Sequence, residues 1–330
     1  GMQFIAWSAR QTKPNVYLIV ENLPDPTSMV QATEVDASWH EAFHGIVRAQ
    51  LREGEYQGRQ YGDMQALLDK LIFAHDGYSD NAQAINYLEN HDQERVAFEI
   101  RTNPTLDNDE AVRAKAKLGA LVLFTAAGVP LLYAGQEFAT STRKTIDENK
   151  LQWERLNDPV WQDLKNWYSS MGQLRSQNAA LRLNYLEPLL VDNERKLLVF
   201  KRWNDEGNQV VVGLNFAPNQ QFAEVDFPRA GKWHEWTNNY DLSAEYYTDS
   251  GGLFTVGVYR KDISNFHDNI TGVAATPALL NQLGLDPNYA GWEVRTTVNG
   301  GDARVDGMEA NIRQALTPLG GWGRYISVFA

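Results

Sequence analysis

The sequence contains no cysteine, which removes disulfides, thiol nucleophiles and thiolate metal sites from consideration. That absence leaves the compartment open, since oxidising and reducing spaces both tolerate cysteine-free chains. Positive charge is in short supply: 30 Lys plus Arg stand against 42 Asp plus Glu, for a formal net charge of −12. With no basic cluster to offset that excess, a nucleic-acid surface is excluded. No apolar run reaches the roughly 20 residues of a membrane helix. The opening "GMQFIAWSARQTKPN" lacks the basic region and apolar block of a signal peptide and reads as an amphipathic helix already under way. Phosphate loops, dinucleotide fingerprints and Ser-His-Asp arrangements are missing too. There is no internal repeat and no low-complexity tract.

What remains is a chain of 330 residues, 43% hydrophobic and 22% charged, enough for two domains or one large barrel with an appendage. The 10 Trp, 14 Tyr and 13 Phe suit clefts where rings stack on sugars, and equally a large core. Val16-Tyr17-Leu18-Ile19-Val20 is a continuous apolar run, as strands buried on both faces require. It ends at Glu21, before a loop at "NLPDP". "ATEVDASW" is a weaker strand pattern, and "HEAFHGIVRAQL" and "MQALLDKLIFA" alternate at helical spacing. "AINYLENHDQERVA" (84–97) then runs from an apolar strand into a knot of ionisable groups. A strong helix follows at 107–127, a strand at "GVPLLYAGQEFA" (128–139), and a long helix at 158–181 that starts on Asp158-Pro159.

This alternation predicts parallel βαβ units. From Leu189 the period changes, and "KLLVFKRW", "QVVVGLNFA" and "FAEVDF" read as short antiparallel strands. Beyond about residue 240 longer strands are expected, with a hairpin turn at Asn299-Gly300-Gly301.

Glu21 and Asp92 share one feature: each stands where a buried strand gives way to a loop. In a parallel barrel such strand ends converge on one rim, and paired carboxylates are what glycoside hydrolysis needs. Spacing alone leaves loop hydrogen bonding as the alternative for both. His40 and His44, four residues apart on a helix, fit either a metal pair with no evident third ligand or ordinary capping and packing.

"YLENHDQERVA" followed some forty residues later by "GVPLLYAGQEFA" resembles the α-amylase superfamily, glycoside hydrolase family 13, where an N-H-D motif closes the seventh barrel strand and a G-x-P-x-x-Y-x-G-x-E segment forms the eighth. "VYLIVENLPDP" is similar to the end of the fifth strand. "VDASWHEAFHGIVRAQL" is similar to the sixth strand and its helix, nearest the branching-enzyme and trehalohydrolase side of the family. The resemblance covers about residues 1–239. It implies an α/β fold, an incomplete (β/α)8 (TIM-type) barrel containing strands 5–8 over residues 1–185, then an antiparallel all-β C-terminal domain over 186–240. It also implies a retaining hydrolase or transglycosidase acting on α-glucan or maltooligosaccharide, without cofactor or metal. Glu21 would be the acid/base and Asp92 the transition-state stabiliser. His91 would bond the sugar hydroxyls and Asn90 would brace the turn. Asp36 and Trp39 would line the site, or serve core and loop roles. Tyr133, Gln136 and Glu137 are expected to be structural.

Two departures stand out. The nucleophilic Asp at the end of the family's fourth strand, within a G-F/V-R-x-D type motif, has no counterpart, and the chain opens in what should be the following helix. The 330-residue chain is therefore expected to be inactive, with an open barrel edge suited to self-association. Second, residues 241–330 resemble barrel strands of TonB-dependent outer-membrane receptors, and "NYDLS" at 239–243 suits either protein, as a chimera would require. The alternatives are a non-catalytic carbohydrate-binding protein and a receptor fragment fused to an amylase fragment. The expected compartment is cytoplasmic for the amylase part, or the outer membrane if the tail is genuine.

Overall fold

The computed structural model describes residues 1–21, 27–229, 233, 240–247, 252–263, 267–274, 276–277, 280–281, 286–291, 293–299, 303–315 and 327–329. It falls into two compact units, Gly1–Pro228 and Arg229–Ala330. Among the described residues no helix is long and apolar enough to cross a membrane. The expected loop at residues 22–26 lies outside the described residues.

In the first unit, helix α1 (Met2–Thr12) leads to strand β1 (Ile19–Val20), helix α2 (Thr27–Ala32) and strand β2 (Ala37–Trp39). Helices α3 (Glu41–Leu51) and α4 (Met64–Leu71) precede strand β3 (Ala84–Tyr87), and α5 (Val96–Arg101) and α6 (Asp109–Thr125) precede β4 (Val129–Leu131). Helix α7 (Pro159–Gln177) closes the series. The four strands form one sheet in the order β1-β2-β3-β4, every pairing parallel. This is the sequential order of a (β/α) barrel wall, and the described residues place no further strand on either edge. Glycine shapes the turn into β4: Gly128 has φ +126, and a Cβ there would sit 2.8 Å from Asn86 Cγ and 3.0 Å from Ala84 O.

The helices form where their apolar faces have something to cover. Helix α3 buries Phe43, Ile46, Val47 and Leu51, and α6 buries Val112, Ala116, Ala120, Val122 and Leu123 in the same core. Burying each large apolar side chain contributes about 1.5–3 kcal/mol. Gly119 lets the two helices approach, since a Cβ there would meet Leu51 Cδ1 at 2.9 Å. The N-caps follow the sequence: Asp63, Asn108 and Asp158 accept from backbone N–H groups of α4, α6 and α7.

Strands β5 (Leu186–Asp192), β6 (Leu197–Trp203) and β7 (Gln209–Asn215) make an antiparallel sheet. Leu198, Phe200, Val212, Leu214 and Phe216 join the core of α3 and α6. "FAEVDF", expected as the third strand, is not one: residues 222–227 are irregular, and Phe222 and Phe227 are exposed. The third strand is β5, which the sequence hid because Glu187 and Pro188 interrupt its apolar pattern at a bulge between Pro188 and Leu190. Two guanidiniums, Arg202 buried and Arg175 half-buried, reinforce the seam. Arg202 of β6 donates to Thr125 O at the end of α6 (2.6 Å) and to Tyr185 O (2.7 Å), and Arg175 of α7 donates to Phe124 O (2.9 Å) and Ala126 O (3.2 Å). Both supply donors to carbonyls that a helix C-terminus leaves unpaired. Burial first, and the charge of Arg175 second, push Arg202 down to about 9, while burial and then the charge of Arg182 push Arg175 down to about 10.

In the second unit, β8 (Tyr240–Tyr247), β9 (Gly252–Ile263), β10 (His267–Ala274), β11 (Glu293–Asn299), β12 (Ala303–Ala315) and β13 (Ser327–Phe329) form two antiparallel sheets, ordered β13-β12-β9-β8 and β10-β11. The expected hairpin at 299–301 is thus corrected: β11 and β12, which flank it, belong to different sheets. Gly300 and Gly301 themselves lie outside the described residues.

Candidate functional site at the strand ends

Strands β1 and β3 run parallel, so the residues that follow them emerge on the same rim. Glu21 is the first residue past β1; Leu88 and Glu89 continue buried past β3, and Asn90, His91 and Asp92 come next. His91 Nε2 lies 3.9 Å from Glu21 Oε2 and 3.5 Å from Asp92 Oδ2. One ligand-capable atom from each of the three lies within 4.8 Å of the others, and all three side chains face solvent. Trp39, the last residue of β2, sets its ring edge-on to His91 at 6.0 Å and against Tyr87 at 5.2 Å.

The loop carrying these groups is fixed from beneath. Asn90, almost fully buried, accepts the Asp92 N–H at 2.8 Å. Glu89 is buried, accepts the Val96 N–H at the start of α5 (2.6 Å) and pairs with Arg95 at 3.1 Å. Burial pushes the Glu89 carboxyl up, only partly opposed by Arg95 and the Val96 N–H. Arg95 donates to Ala134 O (2.8 Å) and lies over the Tyr133 ring at 4.2 Å, tying this loop to the one after β4. From that second loop, Lys144 Nζ donates to Asp92 O at 2.6 Å and stands 3.6 Å from Asp92 Oδ1. A shallow surface depression lies beside His91, lined by Asn90, Tyr133, Thr142, Lys144 and Asn149 among others.

The structure brings Glu21, His91, Asp92 and Trp39 together and puts Asn90 under them as a brace. Asp36 is the exception. It precedes β2, so it lies at the opposite end of the sheet from the rim, where it accepts the Leu18 N–H (2.6 Å) and pairs with Arg10 (2.8 Å). Its carboxylate is committed to joining β1, β2 and α1 and does not line the site. Tyr133, Gln136 and Glu137 support the rim: Gln136 donates to Tyr168 OH (3.1 Å) and Glu137 accepts the Gly135 N–H (2.8 Å). His40 and His44 do not form a metal pair. His40 is held by Asn86 Oδ1 and Asp76 Oδ2, each at 2.8 Å, whereas His44 stacks on Tyr87 at 4.8 Å. Burial, then Arg48 and Arg59, hold His44 well below the usual imidazole range.

Sequence reasoning missed Lys144 and the Glu89–Arg95 pair. The second had a faint signal, since the two residues bracket the Asn90–Asp92 turn in the chain. The first had none, because 52 residues separate Lys144 from Asp92.

Residues 8–181 match the model of the alpha amylase catalytic domain, and residues 190–271 that of the alpha amylase C-terminal all-beta domain. A 1,4-alpha-glucan branching enzyme of Aromatoleum aromaticum is 32% identical over 131 residues, 38% of this chain and 20% of that protein. An alpha-amylase of Haloarcula japonica is 31% identical over 160 residues, 47% of this chain and 21% of that protein. Among solved structures, a Paenibacillus barengoltzii pullulanase variant complexed with maltotetraose aligns with TM-score 0.55 at 18% identity, covering 71% of this chain and 41% of that one. The alpha-amylase of Geobacillus thermoleovorans complexed with acarbose aligns with TM-score 0.50 at 18% identity, covering 94% and 56%. The chain spans about a fifth of the length of the two curated relatives. With the catalytic-domain match covering more than half of it, the chain belongs to the alpha-amylase family of glycoside hydrolases.

Proposed function

We propose that these residues carry the acid/base and stabiliser side of a retaining α-glucan hydrolase or transglycosidase, and that the 330-residue chain by itself binds maltooligosaccharide without turning it over. The observation that carries this reading is the convergence of Glu21, His91 and Asp92 within 4.8 Å at the ends of parallel strands. Glu21 would protonate the leaving oxygen, Asp92 would stabilise the oxocarbenium-like centre, and His91 and Trp39 would hold the sugar. The relatives support the substrate class, since structures of this shape have been solved with maltotetraose and with acarbose. A retaining reaction also needs a nucleophile about 5–5.5 Å from the acid/base. The family's nucleophile motif has no counterpart in these 330 residues.

The test is twofold. Maltotetraose should bind the purified chain, more weakly after Asp92→Asn. α-Glucan turnover that disappears on Glu21→Gln would refute the proposed inactivity. A second reading, that the tail derives from an outer-membrane receptor, draws on the length of β9 and β12, which pair over twelve positions from Ala303↔Ile263 to Gln314↔Gly252. That exceeds the roughly 9–11 residues of a membrane-spanning strand. Against it stands the C-terminal all-beta match, which runs to residue 271, past the proposed junction near 240. One unbroken product on amplifying source DNA across the codons for residues 230–250 would exclude an assembly artefact.

A further inference from the structure

We propose that Lys144 is a positioning residue for Asp92, acting from the loop after β4 to hold the stabiliser carboxylate in the orientation the sugar requires. The inference rests on the reading of Asp92 given above. Asp92 is gripped on three sides. Its N–H is taken by Asn90 Oδ1 at 2.8 Å, and its carbonyl accepts from Lys144 Nζ at 2.6 Å. Its carboxylate lies between His91 Nε2, 3.5 Å from one oxygen, and Lys144 Nζ, 3.6 Å from the other.

Lys144 is itself anchored to this loop, because its own N–H donates to Glu94 Oε2 at 2.6 Å. Two bonds from one residue therefore span the strand-3 and strand-4 loops, one on either side of Gln93. A lysine free to wander on its flexible stem would add only a screened surface charge. One whose backbone is pinned places its ammonium where a charge-assisted bond to a carbonyl fixes the neighbouring peptide. Lys144 also lines the shallow depression beside His91, so the group that orients Asp92 shares its surface with the residues proposed to meet the sugar.

The experiment uses the full 330-residue chain and three variants: Lys144→Met, which keeps the stem and loses the cation, Lys144→Arg, which keeps the charge, and Lys150→Met. Lys150 is an exposed residue of the same loop that pairs with Glu148. Amide exchange by NMR should be about fivefold or more faster at Asp92 in Lys144→Met, near parental in Lys144→Arg and Lys150→Met, and unchanged in α6. An Asp92 amide within twofold of the parent in Lys144→Met, or faster exchange spreading into α6, would overturn the inference. Maltotetraose binding supplies the second readout. Affinity should fall about fivefold in Lys144→Met and recover in Lys144→Arg, with Lys144→Met adding nothing once Asp92→Asn is present, as coupled residues behave. Additive losses would mean that Lys144 acts on the sugar and not through Asp92. Should the parent bind no maltotetraose, the functional reading fails, whereas the amide exchange still decides the role of Lys144.

Discussion

Glu89→Ala is expected to be among the most damaging changes that leave every exposed site residue in place. Glu89 is buried and does two jobs: it accepts the Val96 N–H that opens α5, and it pairs with Arg95, itself almost fully buried. Truncation leaves both the buried guanidinium and the Val96 N–H without their acceptor, for which about 3–5 kcal/mol is the usual cost. Arg95 keeps its bond to Ala134 O and its place over Tyr133, so the lower end, near 3 kcal/mol, is expected. Glu89→Gln retains an acceptor for Val96 and should cost about 1 kcal/mol. At a urea m-value of about 2–3 kcal/mol/M, Glu89→Ala should move the midpoint down by about 1–1.5 M and Glu89→Gln by less than half of that.

The pH dependence sharpens the test. Burial raises the Glu89 carboxyl above its ordinary 4.5 in the folded chain. Stability from this group is therefore fully present below the unfolded value and is lost as pH rises through the folded one. The gap between parent and Glu89→Gln should consequently narrow from acid towards neutral pH. Urea unfolding followed by tryptophan fluorescence at several pH values measures all three quantities. A Gln variant as damaged as the Ala variant, or a gap that widens with pH, would refute the account of the loop.

Other consequences are open to direct measurement. Burial works to raise the Asp76 carboxyl, but hydrogen bonds from His40 and Lys70 outweigh it and hold it below the ordinary 3.8. Its contribution is therefore present above that value and lost as pH falls through the folded one, so the advantage of the parent over Asp76→Asn in acid unfolding should shrink below about pH 4. Arg202→Met should destabilise the first unit by about 2 kcal/mol in thermal or urea unfolding, because the buried Thr125 carbonyl and the part-buried Tyr185 carbonyl lose their donor. Asp36→Asn should lower stability while leaving maltotetraose affinity unchanged, whereas Trp39→Ala should weaken that affinity by titration.

Much of the fold was legible because its signals are local. The continuous apolar runs, the Asp158-Pro159 start and the switch of period after Leu189 follow from helix and strand physics within a few residues. Glu21 and Asp92 stood out at strand ends, but spacing alone left loop hydrogen bonding open for both, and their roles, with that of His91, came from the resemblance of "YLENHDQERVA" and "GVPLLYAGQEFA" to the α-amylase family. What escaped was whatever depends on the third dimension. Asp36 lies three residues before Trp39, and the weak pattern of "ATEVDASW" did not show where the strand begins; the pairing of Leu18 with Asp36 and Ala37 places Asp36 ahead of it, away from the rim. β5 escaped because its bulge breaks the alternation, and "FAEVDF" misled because alternation without a partner strand does not make a strand.

Self-pairing is the remaining proposal, and its consequences for the site can be worked out from the strand order. The sheet β1-β2-β3-β4 has no further strand on either edge among the described residues, and Tyr17, Ile19 and Leu132 are exposed beside those edges. Two copies related by a two-fold axis along the barrel could set β4 of one against β1 of the other twice, giving eight parallel strands. Closure of the sheet would not repair the chemistry. The residues then brought beside Glu21 would be Leu131, Leu132 and Tyr133 of the second copy. The nearest carboxylate along that segment, Glu137, is already engaged by the Gly135 N–H at 2.8 Å. Association and turnover are therefore separate observables. Sedimentation should find a dimer that binds glucan and does not cleave it. Turnover rising with the dimer fraction would mean that a second carboxylate does reach Glu21, and the argument from strand order would fall.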